Sequence, residues 1–180
     1  MGGPGARKTP EPKTPEPEIL AEEMTEASDI DFEIIEAFFF AYRDFTSDPD
    51  AILAQYGFGR AHHRVVHFVN RQPGLTVADL LDILKITKQS LARVLKQLVE
   101  SGYVHQVAGP EDRRQRKLYP TRKGRDLALA LARPQSRRIA RAFSAGGGLD
   151  RAAVVGFLSG MIDRDGARPA VSSFDDDSDD

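Results

Sequence analysis

The fold is decided by residues 75–124, which read LTVADLLDILKITKQSLARVLKQLVESGYVHQVAGPEDRRQRKLYPTRKG. The first part has the apolar spacing of two helices, VADLLDIL and TKQSLARVLKQLVESG, and Gly102 ends the second of them. Thr76 can cap the first helix, because Asp79 follows three residues later in capping-box spacing. The pattern then changes to the alternation of strands in YVHQV and RKLYP, with the turn AGPEDRRQ between them. A short helix, a turn, a second helix and a β-hairpin predict a winged helix-turn-helix.

The segments on both sides of this stretch have a helical pattern. Apolar residues recur at i, i+3 and i+4 in residues 29–45, and GRAHHRVVHFVNR predicts a second helix before the helix-turn-helix. Thr121 can cap a long helix that runs to about Phe143, in which Pro134 predicts a kink or a break. A last helix is expected from Leu149 to Ile162. The fold class is therefore mainly α with a small β-hairpin wing.

The distribution of charge indicates a polyanionic partner. The formal net charge of the chain is -2, yet residues 85–142 contain fifteen Lys and Arg against four Asp and Glu. Too few acids lie nearby to neutralise this basic block, so we expect it to attract a polyanion. The chain has no cysteine, which excludes disulfides and thiolate metal sites. It has neither a long apolar run nor a signal-like start, so we expect a cytoplasmic, nucleoid-associated protein without a membrane partner.

The second helix of the helix-turn-helix is the element that enters the major groove of DNA in this architecture. If its Leu and Val residues face the core, its outward side presents Lys, Gln and Arg, which suit guanine, adenine and phosphate groups. Arginines at the hairpin tip can reach a minor groove, and Asp112 can hold that loop by pairing with Arg114. The candidate DNA-binding residues are Thr87, Lys88, Gln89, Ser90, Arg93, Lys96, Arg113, Arg114 and Arg116.

The stretch from residue 75 to residue 124 resembles the DNA-binding half of a MarR-family transcriptional regulator. The resemblance lies in LTVADLL, the basic recognition helix, the L-x-x-x-G-Y-V at its exit, Asp112-Arg113-Arg114 in the wing, and the T-x-K-G of Thr121–Gly124. RAHHRVVHFV and ITKQSL are further similar to an alphaproteobacterial PetP-like subgroup. The resemblance implies a homodimer that binds double-stranded DNA at a pseudo-palindromic operator, often as a repressor, and that a small aromatic acid or another ligand can release.

The same resemblance implies a division of the chain. Residues 59–120 would be the winged helix-turn-helix DNA-binding domain, and residues 29–58 and 121–165 a helical dimerisation region. Residues 1–28 are rich in Pro and Glu, and residues 166–180 are acidic. Neither composition can bury enough apolar surface to offset the entropy of ordering, so we expect both tails to be disordered.

Three of the four histidines lie in GRAHHRVVHFVNR. On a helix, Arg60, His63, Arg64 and His67 share one stripe. Three interpretations remain open: a solvated polar face, a wall that binds an anionic, aromatic effector through arginine, and a metal site on His63 and His67, for which the sequence shows no third ligand. No metal and no cofactor is predicted.

Other classes of function have less support in the sequence. No phosphate-binding loop, nucleophile elbow or paired-carboxylate site is present, so no enzyme is predicted. A protein-interaction module would tend to expose apolar or aromatic anchors on the recognition helix, where this chain has Lys, Gln and Arg. An RNA-binding or nucleoid-associated protein without ligand control remains an alternative, although no aromatic stacking platform is evident.

Overall fold

The computed structural model describes residues 30–109 and 115–163. The chain divides into two compact units, residues 1–42 and residues 43–180. In the first unit, the described residues 30–42 are all exposed and include the aromatic run Phe38–Phe40. Asp31 begins the helix there, because its carboxylate accepts a hydrogen bond from the backbone N–H of Ile34 at 3.0 Å.

The described residues form six helices and three short strands. The predicted fold class, mainly α with a winged helix-turn-helix, is confirmed, and the tails lie outside the described residues. None of the described helices is long and apolar enough to cross a membrane. In chain order the elements are α1 (Phe32–Ala54), α2 (Arg60–Arg71), β1 (Leu75–Thr76), α3 (Val77–Leu84), α4 (Lys88–Glu100), β2 (Val104–Ala108), β3 (Arg116–Pro120), α5 (Arg122–Ala145) and α6 (Arg151–Gly160).

The wing belongs to a three-stranded antiparallel sheet with the order β1-β3-β2. Strands β2 and β3 form the predicted hairpin, with Val104 opposite Pro120 and Ala108 opposite Arg116. Strand β1 was not predicted; its Leu75 lies opposite Leu118. Two residues are too few for a period-two pattern, so this strand has no signal in the sequence.

One apolar core joins the helix-turn-helix to α2 and α5. Helix α4 contributes Leu91, Val94, Leu95 and Leu98, and α2 contributes Val65, Val66 and Val69. Leu127 and Leu131 of α5 are buried in the same cluster. The wing and the recognition helix are therefore fixed to one packed body.

Two prolines lie inside helices that continue past them. The sequence predicted a kink or a break at Pro134. The break is wrong, since α5 is one helix from Arg122 to Ala145. Pro49 lies inside α1 and is buried. A proline leaves the carbonyl four residues earlier without its helical donor, and here the side-chain amide of Gln135 donates to that carbonyl, of Phe45, at 3.4 Å. A contact from α5 thus replaces a bond that Pro49 removes from α1.

The start of α5 packs against the end of α4 through the T-x-K-G motif. The hydroxyl of Thr121 accepts a hydrogen bond from the N–H of Gly124 and donates to the carbonyl of Gly102 at 2.7 Å. The N–H of Thr121 donates to the carbonyl of Tyr103 at 3.1 Å. Gly124 is buried, and a Cβ there would overlap the carbonyl oxygen of Tyr103. Glycine at this position therefore permits a close backbone approach.

Candidate nucleic-acid interface

Helix α4 has an apolar side in the core and a cationic side in solvent. Lys88, Gln89, Arg93 and Lys96 are exposed, which confirms the predicted division of its faces; contact with DNA remains a prediction. Lys96 lies 3.8 Å from Glu100, and both side chains are largely exposed, so this pair adds little stability. The cationic side of α4 is thus accessible to a polyanion.

The N-terminus of α4 is capped by two of the predicted site residues. The hydroxyl of Thr87 accepts from the N–H of Ser90 at 3.2 Å and donates to the hydroxyl of Ser90 at 2.9 Å. Thr87 is exposed and Ser90 is half-buried. These hydroxyls therefore have a structural role at the end of the helix that groove-binding proteins direct toward the bases.

The structure describes both strands of the wing but not residues 110–114 at its tip. The N–H of Gly109 donates to the carbonyl of Gln115 at 2.9 Å, which closes the hairpin ladder. Arg116 is exposed at the beginning of β3, and Lys117 beside it is half-buried. Asp112, Arg113 and Arg114 lie outside the described residues, so their roles remain predictions.

A buried histidine of α2 forms a hydrogen bond with α4. The Nε2 of His62 lies 2.7 Å from the side-chain oxygen of Gln97, and its Nδ1 accepts from the N–H of Gly59 at 3.1 Å. This acceptor role requires the proton on Nε2, so the ring donates to Gln97. Phe58 stacks on the imidazole with ring centroids 4.6 Å apart. The sequence did not indicate this link between α2 and the recognition helix.

The next residues of α2 line a small cavity of about 240 Å³. Three members of the predicted stripe, His63, Arg64 and His67, contribute to it. The fourth, Arg60, forms an ion pair with Asp50 at 2.8 Å and is not part of the lining. The remaining lining residues, which the sequence did not indicate, are Phe45, Phe68 and Gln135.

The cavity favours neutral histidines. Burial lowers the pKa of His63, with a smaller contribution from the neighbouring His67. Burial also lowers the pKa of His67, together with the positive charge of Arg71.

The guanidinium of Arg64 donates to the carbonyl of Leu84 at 2.8 Å, which ties α2 to the end of α3. Within residues 30–109 and 115–163, no group of three His, Asp or Glu side chains could hold a metal ion.

Comparison with known proteins identifies the family. A family model described as "MarR family" matches residues 56–115, from the end of α1 to the wing. The chain is 50% identical over 132 residues to the HTH-type transcriptional regulator PetP of Rhodobacter capsulatus, an alignment that covers 72% of this chain and 78% of PetP. The chain belongs to the MarR family of transcriptional regulators. The predicted resemblance to the family and to PetP is confirmed.

Solved structures of MarR-family proteins share the fold. A MarR transcriptional regulator from Methanosarcina mazei Go1 superposes with a TM-score of 0.60 at 25% identity, over 77% of this chain and 94% of that one. A MarR-family regulator from Listeria monocytogenes, complexed with a 26mer DNA, superposes with a TM-score of 0.58 at 19% identity, over 71% and 83% of the two chains. As a MarR-family transcriptional regulator, the chain is not an enzyme.

Proposed function

We propose that this MarR-family chain binds double-stranded DNA sequence-specifically and acts as a repressor. The observation that supports this most directly is the exposed cationic side of α4, which presents Lys88, Gln89, Arg93 and Lys96 from a helix whose other side is buried. Side chains of these types match the hydrogen-bonding groups of guanine and adenine in the major groove. Arg116 and the tip residues Arg113 and Arg114 would contact the backbone and the minor groove, with Asp112 holding the loop by pairing with Arg114.

We further propose a homodimer, with residues 59–120 as the DNA-binding domain and residues 29–58 and 121–165 as the dimerisation region. Helix α6 supports this, because none of its residues is buried and its Phe157 and Leu158 are exposed. The exposed aromatic residues Phe38 and Phe39 of α1 support it as well. Exposed apolar surfaces of this kind mark interaction sites. Two recognition helices in a dimer would meet half-sites about 34 Å apart on a pseudo-palindromic operator in the nucleoid.

Selection of bound sequences from random duplex DNA tests the proposal. We expect a palindromic consensus whose half-sites are one helical turn apart. Arg93→Ala should weaken binding to that consensus by about 1–3 kcal/mol and relax the preference at particular base pairs. Arg151→Ala, a matched loss of an exposed arginine on α6, should leave the preference unchanged. Selection without any consensus, or equal effects of both substitutions, would contradict sequence-specific recognition by α4.

We propose that a small anionic aromatic effector binds in the cavity lined by His63, Arg64 and His67 and releases the DNA. An arginine and two aromatic rings, Phe45 and Phe68, supply a cation and apolar contacts for such a ligand. The DNA complex should dissociate on titration with benzoate or 1-naphthoate at fixed salt. Arg64→Gln should abolish this response, while Arg60→Gln, which changes an arginine outside the cavity lining, should retain it.

A zinc titration of wild type and of His63→Ala/His67→Ala distinguishes the metal interpretation of the same histidines. Zinc-dependent release that the double variant abolishes would favour a metal site. If neither zinc nor the carboxylates act through these residues, the stripe is a solvated helix face.

A further inference from the structure

A second cleft, separate from the histidine cavity, lies between α1 and α5. It is open, has a volume of about 610 Å³ and is lined by four arginines of α5 together with residues of α1. The arginines are Arg133, Arg137, Arg138 and Arg141, and the single acidic residue of the lining is Asp48. None of these residues belongs to the recognition helix or the wing, so DNA recognition does not account for the cleft.

The positive charge of the cleft is mostly uncompensated. Arg138 forms ion pairs with Asp48 at 3.0 Å and with Asp44 at 4.0 Å. In the part of the chain that the structure describes, Arg133, Arg137 and Arg141 form no hydrogen bond or ion pair, and all three are exposed. The Nε of Arg138 is buried and has no hydrogen-bond partner in the same part of the chain. Asp48 thus leaves three arginines available to an anion.

The spacing of these three arginines favours a ligand with more than one negative charge. They follow one another at intervals of four residues, so they share one stripe of α5, with about 6 Å along the axis between neighbours. Like charges at this spacing destabilise a helix. An anion over the stripe would remove that repulsion, and two guanidinium groups could each bind one carboxylate, sulfonate or phosphate in a bidentate manner.

The rest of the lining is apolar. Ile52 of α1, and Ala130 and Pro134 of α5, contribute to the cleft beside the arginines. A guanidinium also stacks well on aromatic faces. We propose that the cleft binds an organic dianion with an apolar, preferably aromatic body. One anionic group would contact Arg137, and the other would contact either Arg141 or Arg133. This site is independent of DNA binding and of the effector cavity.

Calorimetry on the full-length protein without DNA tests this site, with naphthalene-1,5-disulfonate as the probe. We expect saturable binding that weakens as NaCl is added. Naphthalene-1-sulfonate, with one charge, should bind at least tenfold more weakly, and neutral 1,5-dihydroxynaphthalene should not bind. Arg137→Gln/Arg141→Gln should weaken binding of the disulfonate about tenfold or more. The matched control Arg122→Gln/Arg151→Gln removes the same charge from exposed residues outside the cleft and should leave the affinity within twofold.

Each alternative has its own outcome. Equal losses in both double variants would mean that the disulfonate responds to the overall charge, and the proposal would be wrong. Loss of binding in Arg64→Gln, with binding retained in Arg137→Gln/Arg141→Gln, would place the ligand in the histidine cavity instead. Absence of binding to wild type, together with a changed mass of Arg137→Gln/Arg141→Gln in light scattering, would assign the cleft to contact between copies of the chain. Circular dichroism of all variants excludes misfolding as the cause.

Discussion

Gly124→Ala should destabilise the protein, although alanine is the better helix former. Gly124 lies in the first turn of α5, where replacing glycine with alanine would on propensity alone stabilise the helix by at most about 1 kcal/mol. The added Cβ, however, would overlap the carbonyl oxygen of Tyr103. This neighbour is backbone, so relief requires α5 to move away from the segment between α4 and β2.

The magnitude follows from what such a movement breaks. Overpacking of this kind costs about 1–3 kcal/mol. The displaced helix would also lose the hydrogen bonds from Thr121 to the carbonyls of Gly102 and Tyr103, which are 2.7 and 3.1 Å long and contribute about 1 kcal/mol each. After allowance for the gain in helix propensity, the expected loss of unfolding free energy is about 2–4 kcal/mol.

Urea denaturation followed by far-UV circular dichroism measures this loss. The midpoint for Gly124→Ala should fall by roughly 1 M or more, with an unchanged slope. Gly156→Ala is the matched control, because Gly156 is also helical and a Cβ there would meet no atom within 4 Å. It should raise the unfolding free energy by about 0.5–1 kcal/mol. A Gly124→Ala protein as stable as wild type, beside a stabilised Gly156→Ala, would refute the close approach to Tyr103.

The remaining predictions concern the helices around the recognition element. His62→Ala should lower the unfolding free energy by about 2–4 kcal/mol, since it removes a stacked, buried ring and its contact with Gln97, and hydrogen exchange in α4 should accelerate; unchanged exchange would argue against that link. Burial lowers the pKa of His63 and His67 in the folded state, whereas a histidine in the unfolded chain has a pKa of about 6.5. Below that pH the unfolded state therefore binds more protons than the folded state. Unfolding free energy should therefore decrease as the pH falls from about 6.5 and be level above it, and His63→Ala/His67→Ala should flatten this dependence; an unchanged slope would contradict the assignment. Lys85 ends α3 with φ 50°, so Lys85→Gly should raise the unfolding free energy by about 0.5–1 kcal/mol; a thermal shift to lower temperature would contradict it.

Much of the DNA-binding module could be predicted because local signals and burial agree there. The capping box of Thr76 and Asp79 is present at the start of α3, with bonds of 2.8 and 3.2 Å, and the apolar spacing of α4 corresponds to its buried side. These features depend on residues three or four apart, which sequence periodicity detects.

Features that depend on distant residues could not be predicted. The bond from Gln135 to the carbonyl of Phe45 spans ninety residues of sequence, and it lies beside a proline that propensity alone would treat as a helix breaker. The aromatic rings of the histidine cavity come from α1 and α2, and no local pattern unites them. Arg60 has the same helical spacing as its neighbours, yet Asp50 pairs with it, because the loop before α2 brings the end of α1 close.

Helix α2 connects the cavity with the recognition helix, and this connection defines what an effector must do. His62 contacts α4 through Gln97, while the adjacent His63 lines the cavity with Gln135 of α5. A ligand beside His63 could therefore move α4 by changing the position of α2 between its two neighbours. Such a ligand must bind the shifted arrangement more tightly than the DNA-bound one, because equal affinity for both would leave DNA binding unchanged however tight the complex. A hundredfold preference, about 2.7 kcal/mol, would change the equilibrium between the two arrangements by the same factor. His62→Ala should weaken the coupling between ligand binding and DNA release without removing the ligand's contacts. An effector that still binds this variant but releases less DNA would indicate that α2 transmits the effect.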